Sequence, residues 1–413
     1  MEQEKPIPAR KTLLGVPYDH YQLADGADLY VTPFGRPFLS YLWPENWLEP
    51  EWFGKSRQPL QGTSTVYKLR TKPVAGTGKD LVVKWCRVGE EVPIDTCTRM
   101  KFMEMDFNSP YEEFSLLMEM RARARPGTVR THKPLAIFVP ARRLKLWQTG
   151  RSRSKMDGKK AQYLDVELDI FRQYILIYEW IKGVASTEAA AAEAAVSAGY
   201  ADASAFARAM LERSMADMEE AGFHVLDAKP QHAIVRPRRG GGLLKDRSGR
   251  PAYALVDFEL LARTPEYERQ SREERRRIYL ERQRDRFRPA EHPREFPPHL
   301  HSARILGVDY VHGDCDSTRG KLWVVGHDPH LFDYFLPERW RRTPRRSLSD
   351  TAQVYYTKTK DGIQLVWKVS QVGDPSGVPD TSPAFAAWGC NSPFEEFGFA
   401  LQLAAAGVPT TYP

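Results

Sequence analysis

The sequence contains no run of about 18 apolar residues, so we expect no helix that spans a membrane. Its amino terminus, MEQEKPIPARK, has no apolar segment, and we therefore expect no signal peptide. Cysteine is scarce: the four cysteines are scattered, and none forms the CxxC spacing typical of zinc sites. A zinc scaffold and a secreted disulfide framework are not expected, and a reducing cytoplasm is the simplest location.

The chain also lacks an excess of acidic residues, because 60 lysines and arginines outnumber 53 aspartates and glutamates. The net charge of +7 fits an anionic partner, such as a nucleotide, a phosphorylated saccharide, a membrane surface or nucleic acid. Charge alone does not choose among these partners. The 413 residues, 42% hydrophobic and 27% charged, are ordinary for a globular protein of two or three domains.

Part of the chain is present twice. Five segments recur in the same order, and the offset between copies drifts from 292 or 293 residues to 283. The matched pairs are Leu13–Tyr18 with Ile305–Tyr310, Pro44–Trp47 with Pro337–Trp340, Thr63–Tyr67 with Thr351–Tyr355, Val82–Lys84 with Val366–Lys368, and Asn108–Phe114 with Asn391–Phe397. Small loop deletions would produce this drift, whereas solenoid repeats have periods of about 20–50 residues. We therefore predict a duplicated domain.

The second copy stops early, since Pro413 matches Pro134 of the first copy. We expect the chain to be a fragment of a longer tandem protein, and the alternative is a genuine half-domain. The predicted organisation is a first domain at 13–287, divided at residue 180 into two lobes. A proline-rich linker at 288–304 and a partial repeat of the first lobe at 305–413 follow.

The order of predicted elements indicates an α+β fold with two lobes. Ser109 before Pro110, followed by two glutamates, predicts a capped helix to about Met120. The basic stretch 142–160, with eight lysines or arginines and one acid, suggests a mobile, solvated loop or an arm for an anionic surface. The remaining predicted elements are strands at 60–70, 80–88, 174–180 and 252–258, two alanine-rich helices within 186–221 broken near Gly199, and a charged helix from 264 to about 287.

Two short motifs carry the chemistry. The first is Asp227 to His232, DAKPQH, and the second is Val256 to Glu259, VDFE. Together they resemble the catalytic loop and the metal-binding strand end of the protein-kinase-like superfamily, which read Asp-x-Lys-Pro-x-Asn and Asp-Phe-Gly. The resemblance covers roughly residues 55–262. It implies an ATP- and Mg²⁺-dependent phosphotransferase with a two-lobe fold.

The resemblance also implies a role for each matched residue. Asp227 would orient the attacking hydroxyl and accept its proton, and Lys229 would offset charge on the transferred phosphoryl group. Asp257 would bind Mg²⁺. Further matches, all upstream, include the phosphate-covering loop with Gly62, the strand lysine Lys84 that holds the nucleotide phosphates, and its helix partner Glu113.

Several positions depart from the superfamily pattern. His232 replaces the metal-binding asparagine, and imidazole is a poor Mg²⁺ ligand, although similar histidines occur in bacterial lipopolysaccharide-core sugar kinases. Glu259 replaces the glycine of Asp-Phe-Gly, as in choline and aminoglycoside kinases, and could add a metal ligand. Gly62 is the only glycine of its loop, and no Ala-Pro-Glu segment is present. These departures favour a saccharide or another small molecule as acceptor over a protein.

Other interpretations stay open at this stage. Glu112 is a rival of Glu113, and His232 is either a metal ligand or a hydrogen-bonding loop residue. The chain could be a pseudokinase scaffold that binds nucleotide or a protein partner without catalysis, or it could transfer a nucleotidyl group. Nucleic-acid binding rests on charge alone and is not expected. The second copy keeps Lys368 and Glu396 but has Asp350 at the position of Gly62, where an acid would repel phosphate.

Overall fold

The structure is a computed structural model. It describes residues 6–60, 65–92, 106–124, 129–162, 166–196, 199–239, 241–286, 296–315, 318, 320–350, 353–370, 392–411 and 413. The chain divides into two compact units, Met1–Glu268 and Arg269–Pro413. This division falls inside the charged helix that the sequence predicted at the end of the first domain. Within the described residues, no helix is both long and apolar enough to cross a membrane.

The first unit is built on an eight-stranded antiparallel sheet with the order β1-β2-β3-β7-β8-β6-β5-β4. A hairpin joins the first two strands through Leu14 and Gly15, which have φ angles of 49° and 81°. The strands of this sheet are β1 (Ala9–Leu13), β2 (Val16–Gln22), β3 (Asp28–Val31), β4 (Arg57–Pro59), β5 (Val66–Arg70), β6 (Asp80–Trp85), β7 (Pro134–Val139) and β8 (Ile175–Glu179).

Alternation along β6 decides which side chains face which core. Leu81 and Val83 belong to one apolar cluster, and Val82 belongs to another. Successive residues of a strand point to opposite faces of a sheet, so Lys84 shares the face of Val82. That face packs against α3 (Pro110–Arg123), whose Phe114 is fully buried in the same cluster as Val82. Strand β6 therefore places the Lys84 side chain within an apolar layer.

The sequence predicted the start of α3 correctly. The Ser109 hydroxyl accepts a hydrogen bond from the amide of Glu112, and the Glu112 carboxylate accepts one from the amide of Ser109. This reciprocal capping box satisfies two amides that a helix otherwise leaves unpaired. Pro110 occupies the first turn, where no amide hydrogen is needed.

The rest of the first unit combines helices with small sheets. A three-stranded sheet has the order β12-β11-β9, and β10 pairs with β13. The strands of these small sheets are β9 (Val184–Ala185), β10 (Phe223–Val225), β11 (Ala233–Val235), β12 (Tyr253–Leu255) and β13 (Leu261–Arg263). The other helices of the first unit are α1 (Leu39–Leu42), α2 (Pro50–Ser56), α4 (Leu146–Thr149), α5 (Arg153–Gln162), α6 (Ala189–Val196) and α7 (Ala203–Glu220), with 3-10 turns at Arg36–Phe38, Pro44–Asn46 and Pro230–His232. The mixture of sheets and helices agrees with the predicted α+β class.

The prediction of a mobile loop at 142–160 is wrong, because this stretch forms α4 and α5. Two of its cations are buried, Arg151 at 9% exposure and Lys159 at 5%. The Arg151 guanidinium donates to the carbonyls of Ile170 and Arg172, and the Lys159 ammonium lies 3.2 Å from the Glu112 carboxylate. Burial of these two cations is tolerated because carbonyl and carboxylate oxygens take the place of the water molecules that would otherwise solvate them.

The second unit contains two three-stranded antiparallel sheets, β14-β15-β16 and β17-β18-β19. Its first strand begins at Leu300, which lies within the predicted linker at 288–304. Residues 288–295 of that linker lie outside the described part of the chain. The elements are β14 (Leu300–Ile305), β15 (Val308–Cys315), β16 (Gly320–Val325), β17 (Arg345–Ser347), β18 (Val354–Lys358), β19 (Gln364–Lys368), α9 (Pro393–Ala405) and 3-10 turns at Pro329–Phe335 and Pro337–Arg339. Helix α8 (Pro265–Asp285) contains the unit boundary.

Matched segments of the two units share local structure. Leu306 and Gly307 repeat the positive φ angles of the first hairpin, at 50° and 80°. The indole of Trp340 donates to the carbonyl of Phe335, as the indole of Trp47 donates to that of Leu42. Ser392 forms the same capping box with Glu395 that begins α3.

Candidate active site

Lys84 and Glu113 form a buried ion pair between β6 and α3. The Lys84 Nζ lies 3.2 Å from the Glu113 Oε1, and the two residues are 3% and 1% exposed. The Tyr178 hydroxyl, on β8, donates to the same carboxylate oxygen at 2.5 Å. Burial is the main cause that raises the pKa of Glu113, while Lys84 and Tyr178 oppose the rise. The structure thus brings together the lysine and the glutamate that the sequence selected.

Asp257 is a second partner of the same lysine. Its Oδ1 lies 2.8 Å from the Lys84 Nζ. Its backbone is in the left-handed region, with φ of 70°, a conformation that costs a non-glycine residue about 1–2 kcal/mol. The side-chain amide of Asn108 donates to the carbonyl of Leu261 at 2.9 Å and fixes the segment that follows. A strained aspartate that neighbouring contacts hold in place is a common feature of functional sites.

Glu259 completes a set of three carboxylates around one cation. Its Oε2 lies 3.4 Å from the Lys84 Nζ, and its Oε1 lies 3.6 Å from a guanidinium nitrogen of Arg87. Burial would lower the pKa of Lys84, but attraction by Asp257, Glu113 and Glu259 outweighs burial and raises it well above the ordinary value. Burial would raise the pKa of Asp257, yet Lys84 and His232 lower it to about 2.

Asp227, Lys229 and His232 lie beside this group, on the segment between β10 and β11. The Lys229 Nζ is 3.7 Å from the Asp227 Oδ2, and the His232 Nε2 is 3.7 Å from the Asp257 Oδ2. The Asp227 Oδ1 is buried and has no hydrogen-bond partner among the described residues. Burial and the charge of Asp257 raise the pKa of Asp227. Burial lowers the pKa of His232, which keeps its imidazole neutral at physiological pH.

Three carboxylates could hold a cation here. One oxygen each of Asp227, Asp257 and Glu259 lies within 4.8 Å of the others. Hard carboxylate oxygens are the ligands that Mg²⁺ prefers, and the unpartnered oxygen of Asp227 leaves a coordination position available. The residues present therefore fit Mg²⁺. His232 stands at the edge of this group, where a neutral imidazole suits hydrogen bonding better than Mg²⁺ binding.

Two further sequence candidates have different outcomes. Gly62 lies in residues 61–64, outside the described part of the chain, so its predicted contact with phosphates stays a prediction. Glu112, the rival of Glu113, has a structural role, because it closes the capping box and pairs with Lys159 at 3.2 Å. Geometry thus separates the two adjacent glutamates.

Sequence reasoning missed two aromatic residues behind the pair. The His132 ring stacks on Tyr178 with centroids 3.8 Å apart and planes 7° apart. Its two ring nitrogens are buried without a hydrogen-bond partner among the described residues. Burial and the charge of Lys84 lower the pKa of His132 to about 3. The pairing of Val82 with Tyr178 puts Tyr178 on the same face as Lys84, but the sequence alone does not give this register.

No protein-family model matches the chain, and no curated protein matches its sequence. Among solved structures, the chain is similar to WaaP in complex with acyl carrier protein, at 13% sequence identity and a TM-score of 0.25. The aligned region covers 53% of this chain and 73% of that chain.

Proposed function

We propose that the chain is an atypical kinase-like phosphotransferase that moves the γ-phosphoryl group of ATP to a hydroxyl group. The proposed fold is the two-lobe protein-kinase-like fold at 13–287, with lobes at 13–180 and 181–287. The partial repeat at 305–413 is proposed to be a duplicate of the first lobe. The hairpin, the tryptophan contact and the capping box that recur in the second unit support this duplication.

One observation carries the proposal. Lys84 contacts Glu113, 29 residues later, and Asp257, 173 residues later, at a single buried point. These are the three residues that the superfamily pattern predicts around the nucleotide phosphates. A structural ion pair needs one carboxylate, whereas Lys84 has three within 3.4 Å. This excess of negative charge suits a site that also binds a cation.

The proposed reaction forms one bond and breaks another. The acceptor oxygen bonds to the γ-phosphorus, the bond from that phosphorus to the β-bridging oxygen breaks, and ADP leaves. Asp227 would take the hydroxyl proton, and its raised pKa supports that role because a stronger base accepts a proton more readily. Lys229, 3.7 Å from Asp227, would offset charge on the transferred group.

Nucleotide binding would change the partners of Lys84. The ammonium lies 2.8 Å from Asp257, and it would leave this carboxylate to contact phosphate oxygens while Glu113 and Tyr178 keep it oriented. Asp257 would then be free to bind Mg²⁺ with Glu259, while Asp227 stays available as the base. When bound, Mg²⁺ would neutralise phosphate charge.

The preferred acceptor is a saccharide or another small molecule, which is the class that the sequence departures favour. Protein acceptors are a weaker alternative because no Ala-Pro-Glu segment is present in the sequence. A cytoplasmic location is part of the same proposal, since ATP is abundant there.

Incubation of the purified chain with Mg²⁺ and γ-labelled ATP tests the proposal. Wild type should release ADP and move label to a saccharide, to protein or to water. Asp257→Ala should lose this turnover by at least about 100-fold, because it removes a metal ligand and a partner of Lys84. Lys368→Ala is the matched control and should keep wild-type turnover. Equal turnover in the two variants would reject Asp257 as a site residue.

A pseudokinase scaffold is the second candidate, and His232 at the position of the metal-binding asparagine favours it. A ligand that binds only the folded state raises the melting temperature. Mg²⁺ and ATP should stabilise an active kinase and a nucleotide-binding scaffold alike, but only the kinase forms ADP. Stabilisation without ADP in the presence of varied acceptors would support the scaffold.

A further inference from the structure

The first unit contains a large open cavity that the proposed phosphotransfer reaction does not use. Its volume is about 1060 Å³. Four chain segments contribute most of its lining residues: 129–131 and 133 before β7, 179–182 at the end of β8, 234–236 of β11, and most of 244–254. Arg121 of α3, Ala124 just after this helix and Arg213 of α7 complete the lining. None of the residues assigned to the Lys84 site is part of this lining. The cavity is therefore available to a second ligand.

The lining is strongly basic. Two carboxylates, Glu179 and Asp246, contribute to it, against nine cations. The cations are Arg121, Arg130, Lys133, Lys182, Arg213, Arg236, Lys245, Arg247 and Arg250. A concave wall of one charge focuses the electrostatic potential and concentrates ions of opposite sign. The cavity therefore favours an anion.

Internal ion pairs do not neutralise this charge. Glu179 lies 3.4 Å from Lys133, and Asp246 lies 2.6 Å from Arg213, so each carboxylate already has a cation. Six lining cations have no ion-pair partner among the residues that the structure describes. These six are Arg121, Arg130, Lys182, Arg236, Lys245 and Arg247. Arg121 lies on α3 and the other five lie on all four segments, so one small anion would neutralise few of them.

Some lining arginines are held in position before any ligand binds. Arg121 donates to the carbonyl and the hydroxyl of Thr131, and Arg213 donates to the carbonyl of Pro251 and to Asp246. Such fixed groups lose little freedom when a ligand arrives. Guanidinium groups bind the oxygens of phosphate or carboxylate groups with two parallel hydrogen bonds. Several cations around one cavity favour phosphate groups, because a phosphate group carries close to two negative charges at neutral pH and a carboxylate carries one.

The floor and size of the cavity restrict the ligand further. Buried or half-buried apolar residues, including Val129, Ile181, Val235 and Ala252, form its floor. The volume of about 1060 Å³ is slightly above the roughly 300–1,000 Å³ range of small-molecule pockets. A compact organic molecule that carries several phosphate groups fits these dimensions better than a nucleic-acid duplex, which needs a long open surface.

We propose that this cavity, the basic cleft, binds an organic polyphosphate, either free or as the headgroup of a lipid. Its carbon skeleton would lie on the apolar floor while its phosphates contact the unpaired cations of the four segments. The proposal stands independently of the phosphotransfer proposal, because the two sites share no residue.

Calorimetric titration of the full chain with inositol hexakisphosphate and with inorganic tripolyphosphate tests the basic cleft. The cleft variant is Arg236→Ser with Arg247→Ser, two exposed lining residues without an ion-pair partner among the described residues. The control is Arg238→Ser with Arg239→Ser, which removes equal charge from exposed neighbours outside the lining. The cleft variant should bind inositol hexakisphosphate at least about tenfold more weakly. The control should bind within about twofold of wild type.

Further outcomes separate the possible ligands. Binding to phosphatidylcholine vesicles only when they contain phosphatidylinositol bisphosphate, with loss in the cleft variant, identifies a lipid headgroup. Binding of the soluble polyphosphates without vesicle binding identifies a free ligand. Equal weakening in the cleft variant and the control, or no binding by wild type, overturns the proposal. Binding of a single-stranded oligonucleotide tenfold tighter than either polyphosphate also overturns it, in favour of nucleic acid.

Discussion

The two units contain the same lysine–glutamate arrangement in different environments. In the first unit, Lys84 and Glu113 have side chains that are 4% and 1% exposed and lie 3.2 Å apart. In the second unit, Lys368 and Glu396 have side chains that are 52% and 34% exposed and lie 2.5 Å apart. A capped helix follows a strand in both cases. The shorter contact is thus the more exposed one.

The difference shows that burial, rather than the distance between the charges, determines how much an ion pair matters for stability. An exposed pair contributes about 0–1 kcal/mol because water and salt screen it. Removal of one partner of a buried pair costs much more stability, because the other partner is then an uncompensated charge in the interior. Helix α3 buries seven residues, while α9 has no buried residue among those described. The first pair therefore has the buried surroundings that a precise electrostatic site needs, whereas the second pair lies largely in contact with solvent.

Removal of the lysine should give the largest contrast between the units. Lys84→Met leaves Glu113, Asp257 and Glu259 without their shared cation, and we expect the free energy of unfolding to fall by about 3–5 kcal/mol. Lys368→Met should lower it by at most about 1 kcal/mol. Denaturant unfolding with amide exchange in β6 and β19 measures both. Similar losses in the two variants would remove the basis of the comparison.

Substitution of Tyr178 tests which contact stabilises the buried Lys84–Glu113 pair. Tyr178→Phe deletes the hydrogen bond to buried Glu113, and we expect a loss of about 2–3 kcal/mol in the free energy of unfolding. Tyr18→Phe is the control, because the Tyr18 hydroxyl is buried without a partner among the described residues. Its removal should be neutral or stabilising in the same denaturation experiment. Equal losses would mean that hydroxyl burial, rather than the contact with Glu113, is responsible.

The pH dependence of stability sharpens the assignment of Asp257. Its pKa is about 2 in the folded chain, lower than the value of about 4 for an unfolded aspartate. Such a carboxylate stabilises the fold above pH 4, and the contribution is lost as the pH falls toward 2. The raised pKa values of Glu113 and Asp227 act in the opposite direction, so the difference between wild type and Asp257→Asn is the useful quantity.

We expect this difference in the free energy of unfolding to reach up to about 2 kcal/mol near pH 6 and to shrink below pH 4. Denaturant titrations of both proteins at a series of pH values provide it. A difference that stays constant between pH 6 and pH 3 would contradict the ion pair with Lys84.

The two capping boxes should give the smallest effects. Ser109→Ala and Ser392→Ala each remove one side-chain cap, which is worth about 1 kcal/mol. Ser109 is fully buried, whereas Ser392 is half-buried beside exposed Glu395, so water replaces the lost bond more easily in the second unit. Melting temperatures of both variants check the order. A larger fall in melting temperature for Ser392→Ala than for Ser109→Ala would contradict the conclusion that Ser109 has the more buried environment.

The sequence predicted the elements whose signals are local. The start of α3 follows from Ser109 and Pro110, and the break near Gly199 separates α6 from α7 as expected. The choice of Lys84 follows from the resemblance to the superfamily pattern. Its contacts with Glu113 and Asp257 were implied only by the order of motifs, since neither spacing nor composition shows that residues 173 positions apart meet.

The sequence failed where distant partners decide the structure. The stretch 142–160 is rich in charge, which usually indicates solvated chain, yet Arg151 reaches carbonyls about 20 residues later and Lys159 reaches Glu112. The role of Tyr178 is hidden for the same reason, because it depends on the register between β6 and β8. The basic cleft combines four segments with residues of α3 and α7, and no single segment indicates it.

Phosphoryl transfer by Asp227→Asn, measured beside nucleotide affinity, addresses the proposed chemistry most directly. The substitution keeps the size of the side chain and removes the base that would accept the hydroxyl proton. We expect turnover of γ-labelled ATP to fall by about 10²- to 10⁴-fold while the affinity for ATP changes little. Wild-type turnover in Asp227→Asn would contradict the proposed role of Asp227 and, with it, the kinase-like mechanism.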